Sequence, residues 1–345
     1  MRRKSVPTIR DVAREANVST ATVSHVFNNT RWVSPSTRQA VLDAAARLNY
    51  RPSAIARSLT TRRTHAIGVV VADVLNPFFS SIIRGVEDGL WRQGHSLIVC
   101  STDEQPDKEA YYLRLLLERR VDGILIATTG ADQPIFDEIQ YHHIPMVFID
   151  RRPSEPYGPM IETDNVQAGY LATRYLLQLG HRRIAILARR PSLSTVVSRV
   201  QGYKQALAEF QLANEAAMVV TVNPRQEAAF QATCRLLQDD DAPTALIATN
   251  HIMTLGVLTA LKTAKIRCPE DVSIVAFDDL PWLELLAPPL TAIRHPIAEL
   301  CSIAVEMLLK AVDESSGEGQ ESATAAFPTV MLPPILIERG SCRPL

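Results

Sequence analysis

Hydrophobic positions in the first fifty residues recur at three- and four-residue intervals, and the polar residues between them punctuate three short helices. Ile9, Val12, Ala13 and Ala16 share one helical face. Thr8 precedes them with Asp11 at the third helical position, a capping-box pair that also sets a carboxylate against the positive end of the helix dipole. Asn17 suits a left-handed helix exit, Val18 plugs the corner, and Ser19 caps a second helix over residues 20–27. In that helix Val23, Val26 and Phe27 form the apolar stripe, while Thr20, Ala21, Ser24 and His25 face outward. The pattern is a helix-turn-helix whose second helix presents a small, polar, basic face suited to a major groove. Ser34 and Pro35 then open a third helix to about residue 48, burying Val41, Ala45 and Leu48. Pro52 and Ser53 begin a helix through Leu59 that is too short to hold alone.

From Ala66 the period changes. Apolar runs AIGVVVADV, SLIVCST, GILIAT, MVFID, MIETD, RIAILA, MVVTV, ALIAT, SIVAFDD and TAIRH read as strands, with helical patterns between them. This alternation predicts an α/β architecture, two doubly wound parallel-sheet subdomains behind an all-α module. The Pro-rich stretch over residues 153–159 marks the expected break, and a second exchange is expected near His295-Pro296. A helix over about 297–312, the polar loop ESSGEGQESATA and two short strands near 329–332 and 335–338 complete the chain. The expected limits are 1–50 for the helical module, 51–63 for the linker and 64–345 for the larger body. The latter divides into 64–158 with 297–327, and 159–296 with 328–345.

Charge sharpens the picture. The net charge of −1 over 345 residues hides an asymmetry: residues 1–63 carry twelve Lys and Arg against three acids, +9, and the rest carries 24 against 34, −10. A basic helix-turn-helix meets an acidic partner, and phosphate neutralisation makes nucleic acid that partner. The five cysteines are odd in number and scattered, with no C-x-x-C pair or zinc-ligand spacing, which predicts reduced thiols and no metal. No signal sequence opens the chain and no apolar run approaches 18 residues, so a cytoplasmic protein without a membrane anchor is expected. Residues 73–79, Asp-Val-Leu-Asn-Pro-Phe-Phe, lack the glycines that a pyrophosphate requires. P-loop, nucleophile-elbow and zinc-protease motifs are missing too. His142-His143 and His181 read as loop and helix-end residues, so no catalytic residue, enzyme activity or cofactor is expected.

Residues 8–28, TIRDVAREANVSTATVSHVFN, and 34–59, SPSTRQAVLDAAARLNYRPSAIARSL, together resemble the headpiece and hinge of the LacI/GalR family of bacterial transcription regulators. The resemblance implies operator contacts by Thr8, Ser19, Thr20, Ala21, Thr22, Ser24, His25 and Asn28, with Ser24, Thr22 and Asn28 on phosphate. It also implies hinge contacts by Ala54, Arg57 and Leu59. Leu59 is expected to wedge into the minor groove when paired hinge helices of a homodimer, or a higher homo-oligomer, meet a near-palindromic site. His25 stands where the family commonly has Arg, which implies an altered half-site preference. Resemblance further implies that the larger body dimerises and that its lobes enclose an effector touched by Phe78, Arg199, Asn250 and Asp278. Pro224, His251, His295 and Arg189-Arg190 depart from the family pattern at this site; a sugar or sugar derivative is the default ligand, and the doubled arginine leaves a phosphorylated or acidic one open. The implied function is a repressor modulated by a small metabolite. Alternatives are a cytoplasmic binding protein of the periplasmic-binding class whose DNA module activates, and an exported sugar-binding protein, which would lack that module.

Overall fold

The protein is described from a computed structural model covering residues 7–51, 63–131, 134–189, 193–212, 217–223, 225–315 and 327–345. The expected hinge, with Ala54, Arg57 and Leu59, lies outside the described residues, as do Arg190 and Pro224. The chain separates into two compact units at His65 and Ala66.

The first unit contains α1 (Ile9–Glu15), α2 (Thr20–Asn28) and α3 (Pro35–Leu48). Asp11 accepts the Thr8 amide at 2.9 Å and the Thr8 hydroxyl at 2.7 Å. The Ser19 and Ser34 hydroxyls accept from the amides of Thr22 and Thr37 at 3.0 and 3.2 Å, answering orphan donors of α2 and α3. Asn17, Asn29 and Asn49 take φ of 54°, 51° and 52° at the three helix exits, where asparagine tolerates the left-handed region. Val12, Ala13, Val23, Val26, Val41, Ala44 and Ala45 form the shared core, with Val18, Phe27 and Leu48 packed at its margin.

The second unit contains two six-stranded sheets. The first is built from β1 (Ala66–Val71), β2 (Ser96–Ser101), β3 (Gly123–Ile126), β4 (Met146–Ile149), β5 (Met160–Thr163) and β11 (Thr329–Leu332), in the order β11-β5-β4-β3-β1-β2, all parallel. On one face lie α4 (Pro77–Arg92) and α11 (Ile297–Glu314), which bury Ile82, Val86, Leu90, Leu300, Ala304 and Leu308. The other face carries α5 (Pro106–Glu118) and α6 (Pro134–Tyr141), through Leu113, Leu116, Ile135 and Phe136. In the second sheet β6 (Ile184–Arg189), β7 (Met218–Val222), β8 (Ala245–Ala248), β9 (Ser273–Phe277), β10 (Thr291–Arg294) and β12 (Ile335–Ile337) run in the order β12-β10-β9-β8-β6-β7. Only β12 is antiparallel there, against β10. Helices α7 (Asn165–Gln178) and α8 (Ser194–Glu209) cover one face, and α9 (Gln226–Leu237) and α10 (His251–Ala264) cover the other.

The lobe boundary corrects the sequence expectation. Residues 153–159 are a loop within the first lobe, because β5 returns beside β4 with Phe148 opposite Met160 and Ile149 opposite Ile161. The chain crosses at Asp164, then at residues 295–296, then at 333–334. Segments 159–163 and 328–332, expected in the second lobe, therefore belong to the first: Met160 donates to the Pro328 carbonyl and β11 pairs along β5. A proline-rich stretch lacks amide donors and so interrupts a ladder, which is as compatible with a loop between neighbouring strands as with a domain boundary.

Two glycines set the geometry of α7 against α8. A Cβ on Gly169 would lie 2.0 Å from the Arg199 carbonyl oxygen, and one on Gly202 would lie 1.9 Å from that of Val166. Backbone-to-backbone contact at this pair holds Asn165 and Arg199, one from each helix, within reach of each other.

Candidate functional site

In the headpiece, Thr8, Ser19, Thr20 and Ala21 are exposed, and Thr22, Ser24, His25 and Asn28 are half-buried. The Ser19 and Thr22 hydroxyls are 2.9 Å apart, and Asn28 donates to the Ser24 hydroxyl at 3.2 Å. His25 Nδ1 lies 2.9 Å from the Thr30 hydroxyl. The indole of Trp32 is 83% exposed, and with Arg31 it borders the same hollow as Ser19, Thr22 and His25. Neither Arg31 nor Trp32 was expected from the helical pattern, since both follow the end of α2.

In the second unit, the carboxyl ends of the strands from both lobes face one cavity of about 370 Å³. Open α/β sheets bind ligands at such ends, where loops and helix N-termini bring polar groups together. All four residues expected to hold an effector border it: Phe78, Arg199, Asn250 and Asp278. Their present engagements differ. Arg199 is buried, with Nε donating to Asn165 Oδ1 at 2.8 Å and Nη1 to the Thr249 carbonyl at 2.6 Å; Nη2 lies 3.4 Å from His295 Nε2. Its guanidinium also sits 4.7 Å from the centre of the Phe277 ring. Asn250 caps α10 by accepting from the Met253 amide at 2.9 Å. Phe78 is part of the first lobe's core and meets the His295 ring edge-on, centroids 5.2 Å apart.

Asp278 follows β9 with φ of 66°. Its carboxylate accepts from the His251 amide at 3.3 Å and lies 3.4 Å from His295 Nε2. Burial works against its ionisation, but the hydrogen bond and charge of His295, with Arg199 and His251, hold it below the ordinary carboxylate range. Asp150, at the end of β4 in the other lobe, is pushed up by burial, with Asp278 adding to the effect against Arg151 and Arg199. His251 is lowered by burial, and its Nδ1 has no hydrogen-bond partner among the described residues. His295 is stitched to the first lobe, Nδ1 lying 3.0 Å from the Thr163 hydroxyl. Thus one chain of contacts, from Thr163 through His295 to Asp278 and Arg199, passes directly through the interlobe crossings. Among the described residues, the cavity is bordered chiefly by acids, arginines, the amides Asn76 and Asn250, His251 and the rings of Phe78 and Phe79.

Glu104, Asp150, Arg151, Asn165 and Thr249 escaped the sequence reading. A usable signal existed for Glu104 and Asp150: Asp150 ends the strand run MVFID and Glu104 lies two residues beyond SLIVCST, at the carboxyl ends where cleft residues gather.

Residues 8–53 match the family of bacterial regulatory proteins called the lacI family, and residues 64–329 match that of periplasmic binding proteins and the sugar binding domain of the LacI family. The chain belongs to the LacI family. Among its curated relatives, the HTH-type transcriptional repressor PurR of Aliivibrio salmonicida is 36% identical over 90% of this chain and 94% of its own length. PurR of Haemophilus influenzae is 36% identical over 97% of this chain and 98% of its own. The lac repressor dimer bound to operator and the anti-inducer ONPF is similar in structure, with a TM-score of 0.84, 27% identity, and coverage of 98% of this chain and 99% of that one. A LacI family regulator from Enterococcus faecium with bound ribose aligns with a TM-score of 0.72 and 31% identity, covering 81% of this chain and 99% of its own. As a LacI family member of this kind, the protein is a DNA-binding transcriptional repressor modulated by a small molecule, and not an enzyme. Among the described residues, no helix is long and apolar enough to cross a membrane.

Proposed function

We propose that the protein acts in the cytoplasm as a dimer on a near-palindromic operator, and that its effector is a small hydroxyl-bearing metabolite, a sugar or sugar derivative, held between the lobes. The observation that carries the reading is the buried contact chain linking Thr163, His295, Asp278 and Arg199. A ligand engaging Asp278 there acts on the same groups that tie the lobes together, so it has the differential contact with two lobe arrangements that modulation demands. Its donors are matched to carboxylates at both sides, Asp150 and Asp278, while Phe78 offers an apolar surface. Solved relatives holding ribose and cellobiose support the ligand class. On the DNA side, Thr8, Ser19, Thr20, Ala21, Thr22, Ser24, His25 and Asn28 are the proposed headpiece contacts, with Ala54, Arg57 and Leu59 in the hinge.

The test is a thermal-shift screen of neutral sugars, nucleosides and organic acids on wild type, Asp278→Asn and Arg199→Gln, followed by operator-binding assays with each hit. A ligand present at about a hundred times its Kd adds about 2.7 kcal/mol to stability, enough for a clear rise in melting temperature. That rise is expected to vanish in Asp278→Asn. Arg199→Gln is expected to lower the melting temperature even without ligand, because Arg199 also joins α7, α8 and β8. A ligand that changes operator affinity but stabilises Asp278→Asn as well as wild type refutes the cleft assignment.

A further inference from the structure

Acids outnumber arginines in the cleft, and one acid occupies two of the arginines. Among the described residues the cavity is bordered by Asp73, Asp103, Glu104, Asp150 and Asp278, against Arg151, Arg189 and Arg199. Glu104 lies on the turn after β2, where Asp103 and Glu104 both adopt left-handed backbone, φ of 51° and 62°. Non-glycine residues enter that region at a steric cost, so a consecutive pair needs support from its surroundings. The Glu104 amide donates to the Ala72 carbonyl at 3.2 Å and the Gln105 amide to that of Thr102 at 3.0 Å, fixing the turn.

So placed, the Glu104 carboxylate receives both prongs of Arg151, Nη1 at 2.8 Å and Nη2 at 2.9 Å. Arg189, at the end of β6 in the other lobe, donates to it as well at 2.8 Å. The three side chains are largely withdrawn from solvent. Burial alone would raise the Glu104 pKa, but Arg151 and then Arg189 outweigh it and hold the group below the ordinary glutamate value. Arg199, the remaining arginine, donates from Nε to Asn165 and from Nη1 to the Thr249 carbonyl, and its Nη2 lies 3.4 Å from His295 Nε2. In Arg151 the bidentate grip by which arginine recognises phosphate or carboxylate is therefore already turned inward, and Arg189 adds one Nη donor to the same carboxylate.

We infer that Glu104 sets the charge class of the ligand: by holding Arg151 and Arg189 in internal ion pairs, it reserves the cleft for an uncharged or cationic molecule with hydrogen-bond donors and excludes phosphorylated or carboxylated ones. An anion entering the cleft must break the pair and leave Glu104, whose side chain is only 26% exposed, beside it without its partners, which is costlier than parting a fully solvated pair. The inference rests on the cleft being the effector site, and it closes the acidic-ligand alternative that the doubled arginine had opened, as far as Arg189 is concerned.

Inorganic phosphate is the direct probe. It is titrated calorimetrically, at constant ionic strength, into the full-length wild type, Glu104→Gln, Glu104→Ala, Arg189→Ala and Glu104→Gln/Arg189→Ala, with circular dichroism confirming the fold. Wild type is expected to give no saturable binding; both Glu104 variants are expected to bind phosphate at least about tenfold more tightly, through the released arginines. The double variant is expected to lose that gain. Phosphate binding by wild type that disappears in Arg189→Ala overturns the inference, even where a Glu104 variant does not fold. Folded Glu104→Gln and Glu104→Ala proteins that still ignore phosphate overturn it equally. Failure of the cleft assignment reads differently: a neutral effector then stabilises Asp278→Asn as it does wild type, whatever the phosphate titrations give.

Discussion

His25 illustrates what a single residue's surroundings add to its type. On the proposed headpiece reading, His25 meets a base edge with fewer hydrogen bonds than a guanidinium fork makes. With Nδ1 against the Thr30 hydroxyl at 2.9 Å, the ring is held in one orientation and Nε2 is the atom left for DNA. Thr30→Val is therefore expected to free the ring and reduce discrimination at one base pair of each half-site by about fivefold, toward the lower end of what a base contact contributes. Binding to random DNA at the same salt is expected to stay within about twofold, since no phosphate contact is removed. Selection from randomised half-sites measures both; an unchanged consensus at every position disproves the positioning role. The outward polar positions of α2 were legible because a 3.6-residue period assigns faces directly. Thr30 was not, because its contact depends on the left-handed turn at Asn29, φ 51°, which swings the chain back over the helix. Phe78 and Asn250 were legible as cleft residues, but not the caps and core contacts that occupy them at the same time.

Elements were legible to the extent that their hydrogen-bond partners lie nearby. Ten strands of the larger body, their alternation with helices and the caps at Ser19 and Ser34 followed from local pattern; the lobe to which β5 belongs did not. MIETD is equally good as the last strand of one sheet or the first of another, and only the pairing with β4 and distant β11 decides. The C-terminal segment is another long-range element. Its anchor is His181, at the end of α7, buried with Nε2 3.2 Å from the Arg343 carbonyl and Nδ1 2.9 Å from the Thr244 hydroxyl. A carbonyl can only accept, so Nε2 carries a proton toward Arg343, while the Thr244 hydroxyl is shared between Nδ1 and the Arg183 carbonyl, 3.3 Å away. Burial, aided by the charge of Arg343, lowers the His181 pKa below the ordinary histidine value. The unfolded chain thus binds this proton more readily: the contribution to stability is complete above about pH 6.5 and is lost as pH falls from there through the folded-state value. Urea unfolding at pH 7.5 and 5.5 is expected to show a smaller loss for His181→Asn than for wild type. An equal loss in the two proteins excludes His181 as the source.

At the scale of the molecule, function depends on contacts that join parts of the chain far apart in sequence and across two lobes. Arg189 meets Glu104 across 85 positions, and the Arg152 amide donates to the Ser194 hydroxyl at 3.2 Å across 42. No periodicity encodes such pairs, although the charged residues themselves are visible. Ser194 is useful because it joins the lobes without bordering the cavity, so its removal disturbs closure and leaves the ligand's contacts in place. A ligand that touches Asp150 and Asp278 binds best when the lobes are together; Ser194→Ala weakens that arrangement by about 1 kcal/mol, the usual net worth of one hydrogen bond. Linkage then fixes a sign that neither induction nor corepression alone supplies. The ligand-free variant must bind operator with an affinity displaced from wild type in the direction opposite to the ligand's own effect, by up to about fivefold. If ligand releases wild type from DNA, Ser194→Ala is expected to hold DNA more tightly; if ligand tightens the complex, Ser194→Ala is expected to loosen it. Fluorescence anisotropy with a selected operator, at fixed salt and with the ligand identified by the thermal-shift screen, measures both displacements. Displacement of the two in the same direction would show that lobe closure is not the coordinate through which ligand and operator communicate.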